Sequence, residues 1–176
     1  MRLERLTTAD HEMYDKAMEL YRRSFPFHEQ REAASQTEIM GDGAYQFNLI
    51  YDGETFVGLI LCWETSRFCY VEHFCILPSL RNRKYGQRAL ELLRRRGKIV
   101  ILEIDPPVDE ISIRRKGFYE RAGYRENHFS HVHPAYHAGC SGHPLMVMSC
   151  PEPLSEEQYQ EFDRYLKAVV MGGEPR

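Results

Sequence analysis

Between Ile76 and Leu93 the chain reads ILPSLRNRKYGQRALELL, and the part able to do chemistry is Arg81-Asn82-Arg83-Lys84-Tyr85-Gly86-Gln87. An apolar run stops at a proline, cationic and amide-bearing residues follow, and a helical pattern starts at Gly86. Helix N-termini carry unpaired N–H groups and a partial positive charge, so such a loop can gather donors around a phosphate or pyrophosphate. A plain strand-to-helix turn with solvated basic residues fits the same letters. The rest of the chain has to decide.

Three other places hold reactive residue types. Glu72 alternates with Tyr70 and Phe74 in an apolar strand pattern, where a carboxylate is costly unless it meets water or a partner. An ion pair with a helix carrying Arg22 or Arg115 would satisfy it, and His73 points to the other face. Tyr119, in RRKGFYERAGY, offers a hydroxyl or simply a ring packed on a sheet. The segment HFSHVHPAYHAGCSGH holds His128, His131, His133, His137, Cys140 and His143. Its spacing fits no structural zinc pattern, so no metal is expected, and a polar loop on the substrate side is the better reading. No Walker loop, dinucleotide GxGxxG or GxSxG nucleophile elbow occurs.

The elements that must position these residues follow from periodicity. RLERLT reads as a strand, and DHEMYDKAMELYRRSF as a helix with Met13, Ala17, Leu20 and Tyr21 inward, ended by Pro26. FPFHEQREAASQTE is a polar linker or a short second helix. AYQFNLIYDGETFVGLILCWE is a hairpin turning at Asp52-Gly53. FCYVEHFCIL is a central strand, Gly86–Arg96 a helix closed by Gly97, and KIVILEID a buried strand stopped at Pro106. SIRRKGFYERAG is a helix and HPLMVMSC a late strand. Ser155 and Gln158 form a capping box opening a helix with Tyr159, Phe162, Leu166 and Val169 on one face. Strands and helices alternate, which makes a mixed α/β protein.

Composition narrows the class. With 176 residues, 43% of them hydrophobic and 28% charged, the chain suits one domain with a sizeable core. A net charge of −3 gives no electrostatic footprint for nucleic acid or an anionic membrane. The opening MRLERLTTAD lacks an apolar stretch, so no signal peptide is expected, and no run approaches the ~20 apolar residues of a membrane span. Cys62, Cys69, Cys75, Cys140 and Cys150 read as reduced, buried thiols of a cytoplasmic protein.

The strand–proline–basic loop–Gly–helix of residues 74–93, with the FYERAGY segment after the next strand, resembles the GNAT superfamily of N-acetyltransferases. The resemblance spans about Arg2 to Cys150. It implies a single GNAT-type domain over 1–176, with a mixed, mostly antiparallel central sheet flanked by helices and residues 151–176 as a C-terminal helical extension. It also implies acetyl-CoA as acyl donor. The Arg/Gln-x-x-Gly-x-Gly/Ala loop that cradles pyrophosphate falls on Arg81 to Gly86, continuing to Gln87. Lys84 stands where the family has its middle glycine. By the same resemblance Phe74, Cys75 and Ile76 line the pantetheine arm, with a strand N–H near Cys75 or Ile76 polarising the thioester carbonyl. Ser112 occupies a pantetheine position where the family often has asparagine. Tyr119 matches the tyrosine that meets the departing thiolate, and Glu72 the strand glutamate that takes a proton from the amine.

The acceptor side is expected from SFPFHEQRE and the histidine-rich loop. Their His28, Glu29, Arg31 and His131 favour the primary amine of a small polar molecule. Transfer to a protein terminus or lysine, transfer of a longer acyl group, and a catalytically idle acetyl-CoA sensor are the rival readings. The expected partners are acetyl-CoA and the amine, with a homodimer left open and neither nucleic acid nor membrane involved.

Overall fold

A computed structural model describes residues 1–172, which divide into two compact units, Met1–Val100 and Ile101 onward. Residues 173–176 of the expected C-terminal extension lie outside the described residues. The fold is the mixed α/β arrangement implied by the sequence, with a mostly antiparallel sheet flanked by helices.

In the first unit, β1 (Arg2–Leu6), β2 (Tyr45–Asp52), β3 (Thr55–Glu64) and β4 (Phe68–Ile76) lie side by side in chain order, each antiparallel to the next. β3 is buried from Phe56 through Trp63 without alternation, so both faces of the sheet are covered. α1 (Tyr14–Ser24) turns Ala17, Met18, Leu20 and Tyr21 inward. It stops because Phe25, ahead of Pro26, is forced into extended backbone. The linker resolves into a 3₁₀ turn, Phe27–Glu29, and α2 (Ala33–Ile39). α3 (Tyr85–Arg94) buries Ala89, Leu90 and Leu93.

Two details of the β3–β4 pairing matter. A Cβ on Gly58 would lie 2.2 Å from the Cys75 carbonyl oxygen and 3.0 Å from Ile76 Cα, so only glycine admits β4 this close. Further along, His73 faces Leu61 while Val71 faces Cys62. The register steps over Glu72, which sits in a β-bulge. The expected simple alternation of Tyr70, Glu72 and Phe74 therefore fails, and Tyr70 and Val71 are both buried.

The second unit carries most of β5 (Ile99–Ile104), with α4 (Glu110–Arg121), β6 (Arg125–Glu126), β7 (Val132–His133), β8 (His143–Pro144), β9 (Met146–Cys150) and α5 (Glu156–Tyr165). The strand order is β5-β9-β6, and β7 and β8 form a separate hairpin. α4 begins earlier than its apolar pattern indicates, because Asp109 and Ser112 make a capping box. The Ser155–Gln158 box opens α5 as read. The face of α5 needs correcting: a π turn over Leu166–Val170 adds a residue, so Val170 is buried at 1% exposure and Val169 stands at 41%. Cys140 also departs from expectation, being exposed where the other four cysteines are buried.

Candidate active site

The loop ahead of α3 has an unusual backbone. Asn82 and Lys84 both take left-handed conformations, with φ of 63° and 62°. Such values cost a non-glycine residue on the order of 1–2 kcal/mol. Lys84 is the N-cap of α3, and no side chain caps the helix. Arg81, Asn82, Arg83 and Lys84 are exposed, and Tyr85, Gly86 and Gln87 half-buried. The helix start is held by Arg88, whose guanidinium makes a fork on Asp52 at 3.0 and 2.8 Å beside the β2–β3 turn. Phe74, Cys75 and Ile76 of β4 pair with Ile60, Leu59 and Gly58 of β3. Burial pushes the Cys75 thiol up to about 11, and Cys62 is raised well above the usual range for the same reason. Neither is a ready thiolate at neutral pH.

Glu72 and Arg31, expected in separate roles, meet. Arg31 Nη2 donates to Glu72 Oε1 at 2.6 Å, and Trp63 Nε1 donates to Oε2 at 2.9 Å. The Glu72 and Arg31 side chains are 0% and 6% exposed. The ion pair weighed for Glu72 therefore exists, with Arg31 between α1 and α2 as its partner. Arg115 instead pairs with Asp105 in the second unit.

The Arg31 peptide N–H donates to the Tyr21 hydroxyl at 2.8 Å, and Arg31 Nη1 to Ser35 Oγ at 3.3 Å. His73 Nε2, 3.3 Å from that hydroxyl, donates to the Glu29 carbonyl at 2.8 Å. Burial, then the Glu72 charge, raises the Tyr21 phenol beyond the ordinary range. His28 is exposed and lies 3.7 Å from the Glu29 carboxylate.

In the second unit, Tyr119 is 9% exposed, its ring edge-on to Phe118 and Tyr124. Burial pushes its phenol up to about 12, with Arg115 opposing slightly. The Ser112 hydroxyl accepts the Val108 and Asp109 N–H groups at 3.1 Å each, and so is engaged in starting α4. His131 is buried, with Nε2 against Glu103 and Nδ1 3.0 Å from the Tyr159 hydroxyl. The Glu103 carboxylate is itself 4% exposed and has His133 3.9 Å from its other oxygen.

Sequence reading missed Trp63, Tyr21 and Glu103. Spacing marks Tyr21 only as an inward residue of the first helix, and Trp63 and Glu103 do not stand out within their strands. Gly58 within an apolar strand was the one readable sign of a close backbone approach.

Among the described residues, no helix is long and apolar enough to cross a membrane. Among curated protein sequences, none matches this chain. Solved structures do. A protein from Bacteroides thetaiotaomicron, assigned to the GNAT family of acetyltransferases, is 33% identical, covers 99% of this chain and 100% of its own, and has a TM-score of 0.92. An aminoglycoside 6'-N-acetyltransferase complexed with coenzyme A shares the fold at 18% identity and TM-score 0.57, over 89% of this chain and 100% of that one. The ribosomal-protein-S18-alanine N-acetyltransferase from Escherichia coli does so at 14% and 0.56, over 89% and 96%. The model of the acetyltransferase (GNAT) family matches residues 11–124. With the fold and the loop before α3 agreeing, this chain belongs to the GNAT family of acetyltransferases.

Proposed function

We propose that this chain, acting as one catalytic domain, moves an acetyl group from acetyl-CoA to the primary amine of a small polar molecule. The observation that carries the reading is the pair of left-handed residues, Asn82 and Lys84, ahead of an uncapped helix start. Main-chain N–H groups from Arg81 to Gln87 would hold the pyrophosphate, with Lys84 adding charge where a glycine would add none. Phe74, Cys75 and Ile76 would border the pantetheine arm, and a strand N–H near Cys75 or Ile76 would polarise the carbonyl.

The amine nitrogen attacks the thioester carbon, the C–S bond breaks, and the amine's proton leaves to solvent or a base. Attack is direct, and the buried Cys75 and Cys62, whose thiols burial raises, make poor acyl carriers. Tyr119 meets the leaving sulfur. A phenol at about 12 lies well above a thiol at ~8.5, so it stabilises the thiolate by donating a hydrogen bond more than by surrendering its proton. The acceptor side would draw on His28, Glu29 and His131. Burial of four of the five cysteines fits a reducing compartment, and we place the protein in the cytoplasm.

Thermal melting tests the cofactor, and thiol release with a panel of amines tests the reaction. Acetyl-CoA at about 100 times its Kd should raise Tm by roughly 5–10 °C, with acetate doing far less. No shift at saturation removes the CoA site. A shift without thiol release on any amine leaves a binding module and removes the enzyme.

A further inference from the structure

We propose that Arg31 is a positioning residue and that the Glu72 carboxylate is its clamp, rather than the proton acceptor for the incoming amine. The proposal deepens the acetyl-transfer reading and rests on it for its kinetic consequences.

A general base needs a lone pair that the proton can reach. Both Glu72 oxygens already accept charge-assisted or indole N–H bonds, and the side chain is 0% exposed. Residue 72 as a whole is nevertheless half-buried, so what it shows to solvent is its main chain at the bulge. The carboxylate points into the protein and the peptide points out. That geometry suits an anchor.

Arg31 supplies the other half. Its guanidinium spans Glu72 and Ser35 and lies 5.8 Å from the Trp63 ring centre, while its own N–H is fixed on Tyr21. One buried residue thus ties the segment between α1 and α2 to the bulge on β4. The neighbouring His73 adds a second tie, to the Glu29 carbonyl. His28 and Glu29, expected on the acceptor side, are carried by this same segment, so the pair sets where they stand. Removing either partner leaves the other charge buried and uncompensated.

Trp63 is the only tryptophan of the chain, so its fluorescence reports the clamp directly. The test compares Arg31→Lys, Arg31→Met, Glu72→Gln and the double variant Arg31→Met/Glu72→Gln with wild type. Trp63 emission, Tm and the pH profile of kcat/KM are measured on each. A clamp predicts shifted emission in both Arg31→Met and Glu72→Gln, with partial recovery in Arg31→Lys. The kcat/KM should fall about 10–100-fold in each, as misplacement does, and the double variant should be no worse than the poorer single one. The acid limb of the profile should survive throughout. Loss of that limb in Glu72→Gln, with wild-type emission and a fully active Arg31→Met, would make Glu72 the base and overturn the proposal. Should wild type acetylate no amine, the acetyl-transfer reading falls by itself. The clamp is then decided by emission and Tm: unchanged emission in every variant overturns it, and a double variant melting above the poorer single one supports it.

Discussion

Two regions of the first unit handle polar groups in opposite ways. The loop from Arg81 to Gln87 is exposed or half-buried, holds two non-glycine residues in left-handed backbone, and leads into a helix that no side chain caps. The Arg31–Glu72–Trp63 cluster is buried, and both carboxylate oxygens of Glu72 accept hydrogen bonds from within it. The loop holds strained backbone in an open setting, whereas the cluster turns its charges inward. Chemical type alone misleads here. On the readings proposed above, the glutamate and arginine look reactive but are structural, and the working groups of the loop would be peptide N–H groups common to any sequence.

The sharpest extension of this contrast is Tyr119, where a single buried hydroxyl would do the work. Tyr119→Phe is expected to lower kcat by about 10²–10³-fold, the loss seen when one charge-stabilising donor is removed, with acetyl-CoA affinity nearly unchanged. A wild-type kcat in the Phe variant would assign the tyrosine to packing. The same residue has a pH signature. Its folded pKa is raised from 10 to about 12, so the native state favours the neutral phenol. That contribution to stability is whole below pH ~10 and is lost as pH rises toward ~12. Chemical denaturation between those values should show a shallower loss in the Phe variant.

Next in size is Gly86→Val. If the loop binds through its main chain, a branched side chain at the helix start should weaken acetyl-CoA binding about tenfold or more while the protein still melts cooperatively. Calorimetric titration of a folded variant with unchanged affinity would break the contrast. The smallest effect is expected at Lys84. Lys84→Gly relieves a left-handed lysine, so Tm should rise by an amount worth about 1 kcal/mol. CoA affinity should fall only modestly, because the N–H remains and only the ammonium is lost. A large fall would move the binding energy from the main chain to the side chain.

The long elements were legible because their patterns are long. The β2–β3 hairpin and the Ser155–Gln158 box each rest on several agreeing residues. The two-residue strands β6, β7 and β8 were not, since two residues cannot show alternation. The loop before α3 was readable from its cations and its glycine. The partner of Glu72 was not: Arg31 lies 41 residues away, and a β-bulge had to turn the carboxylate toward it. Spacing can nominate a carboxylate for chemistry, but its availability depends on tertiary contacts.

The π turn at the end of α5 has an evolutionary consequence. Within a regular helix a one-residue deletion swings everything beyond it by about 100° and exposes what was buried. Between Leu166 and Val170 the chain already carries one residue more than a regular turn requires. Losing Lys167, which is exposed, would relax the wide turn to ordinary pitch and leave Val170 on the face of Phe162 and Leu166. This short stretch is therefore a point where the length of the chain can drift among related sequences while the packing beneath α5 stays the same.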